Sequence, residues 1–184
     1  LLFLAKEAGH TVEGFQQEVE VDGVKGHIDA IIDGVVVDVK SASPFGFTKF
    51  KTNSVVQEDP FGYTHQLAGY ADVLTPDESA AWLALNKVDG EVVLATLSSS
   101  IIKDYKPAPR IEHLKAVIEQ DEPPEKCYSD VEDGKSGNRK LATGCSYCSF
   151  KKHCWPNLRG FAYSGGPRYL TTVAKTPDVP EFEV

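Results

Sequence analysis

The chain has no methionine at any of its 184 positions, the first included. Opening on Leu-Leu-Phe-Leu without Met, it reads as a piece of a longer protein with an upstream segment expected. No apolar run approaches the ~18 residues that cross a bilayer, which excludes a membrane helix and any membrane partner that needs one. A basic stretch followed by an apolar run and a small-residue cleavage site is lacking too. The expected location is therefore cytoplasmic. Internal repeats and low-complexity tracts are also missing, so neither a solenoid nor a disordered tether is expected. Cysteine is scarce, at four residues. Without a secretion pattern, four thiols suit metal ligation better than a disulfide framework.

With 41% hydrophobic and 25% charged residues, the rest is an ordinary globular composition. A chain of this length buries roughly 70% of its unfolded surface, enough for one core and a small appendage. The net charge of −8 argues against a polyanion partner only if it is spread evenly, and it is not. Residues 135–175 hold eight Lys or Arg and no Asp or Glu, a local +8, while the remaining 11 bases against 27 acids leave −16. Such segregation fits either a polyanion-binding surface or a solvated basic tail.

The expected order is a helix over residues 1–10 closed by Gly9, then β structure over 15–21 with Phe15, Val19 and Val21 on one face. Asp22-Gly23 is a turn, and two β-branched runs over 24–32 and 35–40 flank Asp33-Gly34, a strong hairpin signal. Residues 41–58 read as a loop of interleaved aromatic and basic side chains. Asp59-Pro60 is expected to start a helix reaching Leu74, with Asp as cap and Pro at the first turn. Strands follow over 80–85 and 92–97. A last helix from Pro109 would bury Ile111, Leu114, Val117 and Ile118. Three segments result: a core over 1–120, an acidic linker over 121–134, and a basic cysteine-containing segment over 135–184 whose end, from Thr176, looks frayed. The expected class is α/β (α+β) with a mixed central sheet flanked by helices and a C-terminal cysteine-stapled segment.

Chemistry concentrates in the second hairpin. Asp38 and Lys40 share a strand face, and a two-residue turn at Asp33-Gly34 sets Asp29 opposite Asp38. Two acids interrupting apolar strands are costly unless something neutralises them. Their oxygens suit a hard cation such as Mg²⁺ or Mn²⁺, which activates water and stabilises charge on a phosphate. Gln66 and Tyr70, four apart, share a helix face.

Gly26-His27-Ile28-Asp29 with Asp38-Val39-Lys40 resembles the paired acidic motifs of the PD-(D/E)XK nuclease superfamily, and Gln66-Leu67-Ala68-Gly69-Tyr70 is similar to the Gln-x-x-x-Tyr motif of its RecB-like exonuclease branch. The match covers residues 16–75 and, through the cysteines, 145–155. It implies a restriction-endonuclease-like fold, with Asp29, Asp38 and the Val39 carbonyl as metal ligands and Lys40 supporting the nucleophile. Gln66 and Tyr70 would hold DNA or the catalytic strand. The family draws a further ligand from a preceding helix. Glu7 and His10 lie in that region, though its equivalent is expected upstream of this chain. Ile28 stands where the superfamily's name has proline.

Cys145, Cys148 and Cys154 are tightly spaced, and Cys127 lies upstream. Four thiolates favour Zn²⁺ or an iron–sulfur cluster. The spacing resembles the C-terminal cysteines of iron–sulfur RecB-like nucleases, which implies a 4Fe-4S cluster, with Cys127 replacing a fourth ligand that those proteins carry before the nuclease motifs. If zinc is the metal, His153 is a reserve ligand. Lys151, Lys152 and Arg159, with Trp155 and Tyr147, would meet a phosphate backbone and stack a base, and Lys49 and Lys51 would add contacts. The resemblance implies a Mg²⁺- or Mn²⁺-dependent DNA exonuclease of viral or bacterial recombination, repair or replication, acting on single strands or duplex ends. The alternatives are an inactive DNA-binding module of nuclease fold and a zinc-stapled interaction module.

Overall fold

The computed structural model describes residues 1–121 and 124–184, and within the expected linker Glu122 and Pro123 lie outside the described residues. The chain forms two compact units, Leu1–Asp121 and Glu122–Val184.

The first unit opens with α1 (Leu2–Glu7) and β1 (Val12–Glu13). It continues through β2 (Glu18–Val21), β3 (Val24–His27), β4 (Ala30–Ile32), β5 (Val35–Ala42) and α2 (Pro44–Lys51). A 3-10 turn (Ser54–Val56), α3 (Tyr63–Leu74), β6 (Ala80–Asn86), β7 (Val92–Leu97), α4 (Ser99–Asp104) and α5 (Pro107–Ile118) complete it. Five strands make a mixed sheet in the order β1-β4-β5-β6-β7, antiparallel except for the parallel β5–β6 pair, while β2 and β3 pair separately. This is a mixed α/β, or α+β, architecture with helices against a mixed central sheet.

Period-two patterning builds the core. Val36 on β5, Ala80, Trp82 and Ala84 on β6, and Ala95 and Leu97 on β7 are all buried in one cluster. Phe47 and Phe50 of α2 and Leu67, Ala68 and Ala71 of α3 pack in the same cluster. Val19 and Val21 of β2 join it, and β2 contacts α3. Among the described residues no helix is long and apolar enough to cross a membrane.

Several expected elements fall elsewhere. Both hairpin turns have positive φ at Asp and Gly (Asp22 and Gly23, Asp33 and Gly34), as a two-residue turn of primed type requires. The run over 24–32, however, is two strands in two sheets, broken where Ile28 buries and Asp29 turns away. Phe15 precedes β2 and is exposed. The expected loop over 41–58 contains α2, whose Ser43 side chain accepts from the Gly46 N–H ahead of Pro44. Asp59 and Pro60 do not start α3, which begins at Tyr63 with Gly62 at its N-cap; Asp59 instead reaches across the preceding turn and accepts from the Thr64 N–H at 2.7 Å. The final helix opens at Pro107 and buries none of its side chains. An additional short helix, α4, precedes it.

The second unit carries β8 (Val131–Glu132), β9 (Arg139–Lys140), α6 (Thr143–Ser146), α7 (Lys151–Cys154), β10 (Arg159–Tyr163), β11 (Gly166–Thr172) and β12 (Glu181–Phe182). Its five strands are antiparallel in the order β12-β10-β11-β9-β8. The later part of the acidic stretch is therefore strand. The end of the chain is not frayed: β12 pairs with β10, and a Cβ on Gly160 would strike the Phe182 ring at 2.6 Å.

Candidate functional site

The β4–β5 register is the one counted from the turn, Ile32 opposite Val35 and Ala30 opposite Val37. The ladder stops there, so Asp29 does not sit in a strand pair with Asp38. Its carboxylate instead replaces the next ladder acceptor, Oδ2 taking the Val39 N–H at 2.7 Å while Oδ1 accepts from Gln16 Nε2 at 2.9 Å. A strand residue points its N–H and C=O to the same edge. The Val39 carbonyl therefore lies on the Asp29 side of β5, past the end of β4.

Asp38 occupies the core-facing row of β5, beside Trp82 of β6, and is 7% exposed. Lys40 Nζ lies 2.7 Å from Asp38 Oδ2. The ammonium is the counter-ion of that buried oxygen, which has no hydrogen-bond partner among the described residues. Burial pushes the Asp38 pKa up; Lys40 works against this and the Asp29 charge adds to it. The two acids are thus close enough to feel each other, and one oxygen faces the interior without a donor.

The array continues onto α3. Lys40 Nζ reaches Gln66 Oε1 at 3.5 Å, and Gln66 Nε2 reaches the Tyr70 hydroxyl at 3.4 Å. The Lys40 ammonium also stands 4.7 Å from the centre of the Tyr63 ring. Tyr63, Gln66 and Tyr70 fall at i, i+3 and i+7 of one helix, hence on one face. A Cβ on Gly26 would collide with the Tyr70 hydroxyl, so glycine at this strand position makes room for that ring.

Asp29, Asp38, Lys40, Gln66 and Tyr70 are therefore brought together. Glu7 is not: it is exposed on α1, and among the described residues no hydrogen bond or ion pair joins it to either acid. His10 Nδ1 is held at 2.6 Å by Asp33 Oδ2, which pins the end of the first helix to the hairpin turn. Sequence reasoning missed Gln16 and Tyr63, and it quoted Gly26 in the motif without giving it a role. Tyr63 was findable from its helical spacing to Gln66 and Gly26 as a glycine inside a β run, but nothing in sequence points to Gln16.

In the second unit all four cysteines are free thiols. Burial first, then the neighbouring Cys127, Cys148 and Cys154, push the Cys145 thiol up, while the Tyr128 backbone N–H bonded to it acts the other way. Lys126 lies 3.8 Å from the Trp155 ring centre, tying the flank of Cys127 to the flank of Cys154. Cys145 thus lies within electrostatic reach of the other three thiols. Among the described residues, though, no three His, Cys, Asp or Glu are gathered tightly enough to hold a metal as they stand.

The candidate phosphate-binding cations are largely engaged. Arg159 makes a two-pronged ion pair with Glu181 at 2.8 and 2.7 Å. Lys151 donates to the Cys148 carbonyl and Lys152 to the Val184 backbone oxygen. Lys49 pairs with Glu58 at 3.1 Å and Lys51 with Glu91 at 2.6 Å. Three further cations of the basic stretch meet acids of the same unit: Arg139 with Asp130, and both Lys140 and Arg168 with Asp133.

No protein-family model matches the chain, and a search of curated proteins finds no match either.

Proposed function

We propose that the chain is a divalent-cation-dependent deoxyribonuclease of the PD-(D/E)XK type, hydrolysing phosphodiester bonds as an exonuclease. The observation that carries this reading is the continuous array Asp38–Lys40–Gln66–Tyr70 beside Asp29. The donor set fits a hard cation. It offers two carboxylates, one with a buried oxygen lacking a donor, and a strand carbonyl, all oxygen ligands of the kind Mg²⁺ and Mn²⁺ take alongside waters. Asp29, Asp38 and the Val39 carbonyl would hold it. When bound, such a cation supplies an activated water and stabilises charge on phosphate.

The chain's own residues do the rest. Lys40, anchored between Asp38 and Gln66, presents an ammonium to the attacking water and to the charge that grows on the phosphate. Gln66 and Tyr70 fix that ammonium from the far side and offer an amide and a hydroxyl to the strand. Gln16 and the Val39 N–H hold the Asp29 carboxylate in one orientation. At the cysteines, a 4Fe-4S cluster or zinc is proposed as a structural group, supported by the electrostatic coupling of Cys145 to the other three thiols and by the N–H directed at Cys145.

Incubation of labelled single-stranded and duplex DNA with Mn²⁺ tests the reading. Lys40→Ala should reduce cleavage at least ~100-fold while leaving the far-ultraviolet circular dichroism unchanged. A variant that cuts at the wild-type rate would remove the assignment. A second reading, a zinc-stapled interaction module, draws support from the second unit alone, where acids pair with Arg139, Lys140, Arg159 and Arg168 of the basic stretch.

A further inference from the structure

A cleft of about 210 Å³ opens in the first unit, lined by the β2–β3 hairpin, α3 and α5. Gln66 and Tyr70 belong to it as well as to the array around Lys40, so the two are continuous. Its volume is below the 300–1,000 Å³ or so of pockets that enclose a drug-sized ligand, and suits a single flat ring. Apolar side chains line it without being covered: Val24 is 47% and Leu114 44% exposed. Of the apolar stripe of α5, Ile111 packs partly against the core, and Ile111 and Leu114 line the cleft.

The polar lining has one sign. The first unit carries 19 acids against 10 bases, yet no Asp or Glu lines the cleft, while Lys25, Arg110 and His65 do. Lys25 is tied to Glu18 at 2.8 Å. Arg110 is exposed and has no hydrogen bond or ion pair among the described residues. His65 packs edge-on against Tyr105. Burial and the adjacent Arg110 hold its pKa below the usual imidazole value, so near neutrality it is an uncharged donor and acceptor. An apolar slot with an unpaired guanidinium at its rim, opening onto the candidate catalytic residues, matches a nucleobase and its neighbouring phosphate.

We propose that this cleft receives one unpaired base of a nucleic-acid strand, with Arg110 taking the flanking phosphate, next to the phosphodiester that Lys40 faces. The proposal rests on the nuclease reading for its register, and it adds a strand preference. A base can enter such a slot only when it is neither paired nor stacked, so the site selects single strands or frayed ends over intact duplex.

The test is fluorescence anisotropy with calcium as the only divalent ion. It compares a labelled thymidine oligomer of about twelve nucleotides with an abasic oligomer of equal length and charge. Wild type should bind the base-bearing strand about tenfold more tightly. The double variant Val24→Gln/Leu114→Gln, at two exposed positions, should lose that preference and keep its affinity for the abasic strand and for duplex. Arg110→Gln should weaken both single strands equally. Equal wild-type affinity for the two strands, or a double variant that retains the preference, overturns the proposal. The nuclease reading is read separately, from Mn²⁺-dependent cleavage and its loss in Lys40→Ala. Cleavage without base preference removes the cleft alone, and base preference without cleavage removes the nuclease reading alone.

Discussion

Asp38 is a carboxylate in the buried row of a strand whose other members are apolar or its own counter-ion Lys40. Its pKa is raised chiefly by burial, so the folded state holds the proton more tightly than the unfolded chain does. Between the unfolded value near ~3.9 and the folded value, the native state binds more protons, and stability therefore falls as pH rises. Above that window the full cost of an ionised, buried acid is present; below it the cost is gone. Asp38→Asn should accordingly be no less stable than wild type at neutral pH without divalent ion, and its advantage should fade on acidification towards pH 4. Mn²⁺ should raise the melting temperature of wild type and not of the variant, because a ligand that binds only the native state stabilises it by mass action. Thermal melts across pH decide this. An Asn variant that melts well below wild type at neutral pH would mean that the Lys40 ion pair outweighs burial.

Among elements, α2 shows a local signal competing with composition. Gly46 and three phenylalanines in eight residues are poor helix formers, yet Ser43 caps the first turn, Pro44 sits at its start, and Phe47 and Phe50 bury three apart. Tertiary burial overrides propensity here. Ser43→Ala removes the acceptor of the Gly46 N–H and should cost about 1 kcal/mol, seen as a fall of about 4 °C in the melting of the first unit. Ser43→Asp, which keeps an acceptor, should stay close to wild type. If Ala melts with wild type, the cap contributes nothing and packing of the two rings alone holds α2.

Across the whole molecule, a stretch that is +8 in sequence is drawn into ion pairs by a five-stranded sheet. β8 and β12 and their flanks bring Asp130, Asp133 and Glu181 to Arg139, Lys140, Arg168 and Arg159. Lys151 and Lys152 pair with no acid among the described residues: backbone oxygens hold both, and the Tyr169 ring lies 4.9 Å from the Lys151 ammonium, so they can exchange these contacts for phosphates. Replacing both with Gln should flatten the salt dependence of single-strand binding by about 1.4 in log–log slope, at ~0.7 per contact. Arg159→Gln should move it by less than about half a unit. A larger effect from Arg159 would mean that its pair with Glu181 opens on binding. The cysteines belong to the second unit and the carboxylates to the first, so their metals should separate. Cys148→Ala should lose iron or zinc by elemental analysis and lower the melting temperature, because a site assembled only on folding contributes to folding. Mn²⁺ binding at Asp29 and Asp38 should persist. A variant that keeps both metal content and melting temperature would leave the thiols without a structural role.

Sequence alone determined what depends on near neighbours. Each Asp-Gly turn dictated its hairpin, and strand alternation put Asp38 with Lys40 on one face. Helical spacing put Gln66 with Tyr70, and the α/β class followed from the order of runs. Tertiary structure decided what depends on residues far apart along the chain. It ended the β4 ladder one residue early, so that Asp29 accepts the Val39 N–H instead of facing Asp38 across a strand pair. It covered α2 with a sheet and left Leu114 of α5 exposed in the wall of a cleft. Acids up to 35 positions away along the chain paired with four of the eight cations of the basic stretch. The reason is range: turn dihedrals and face periodicity are set within a few residues, whereas burial and charge pairing belong to whichever segments the fold brings into contact.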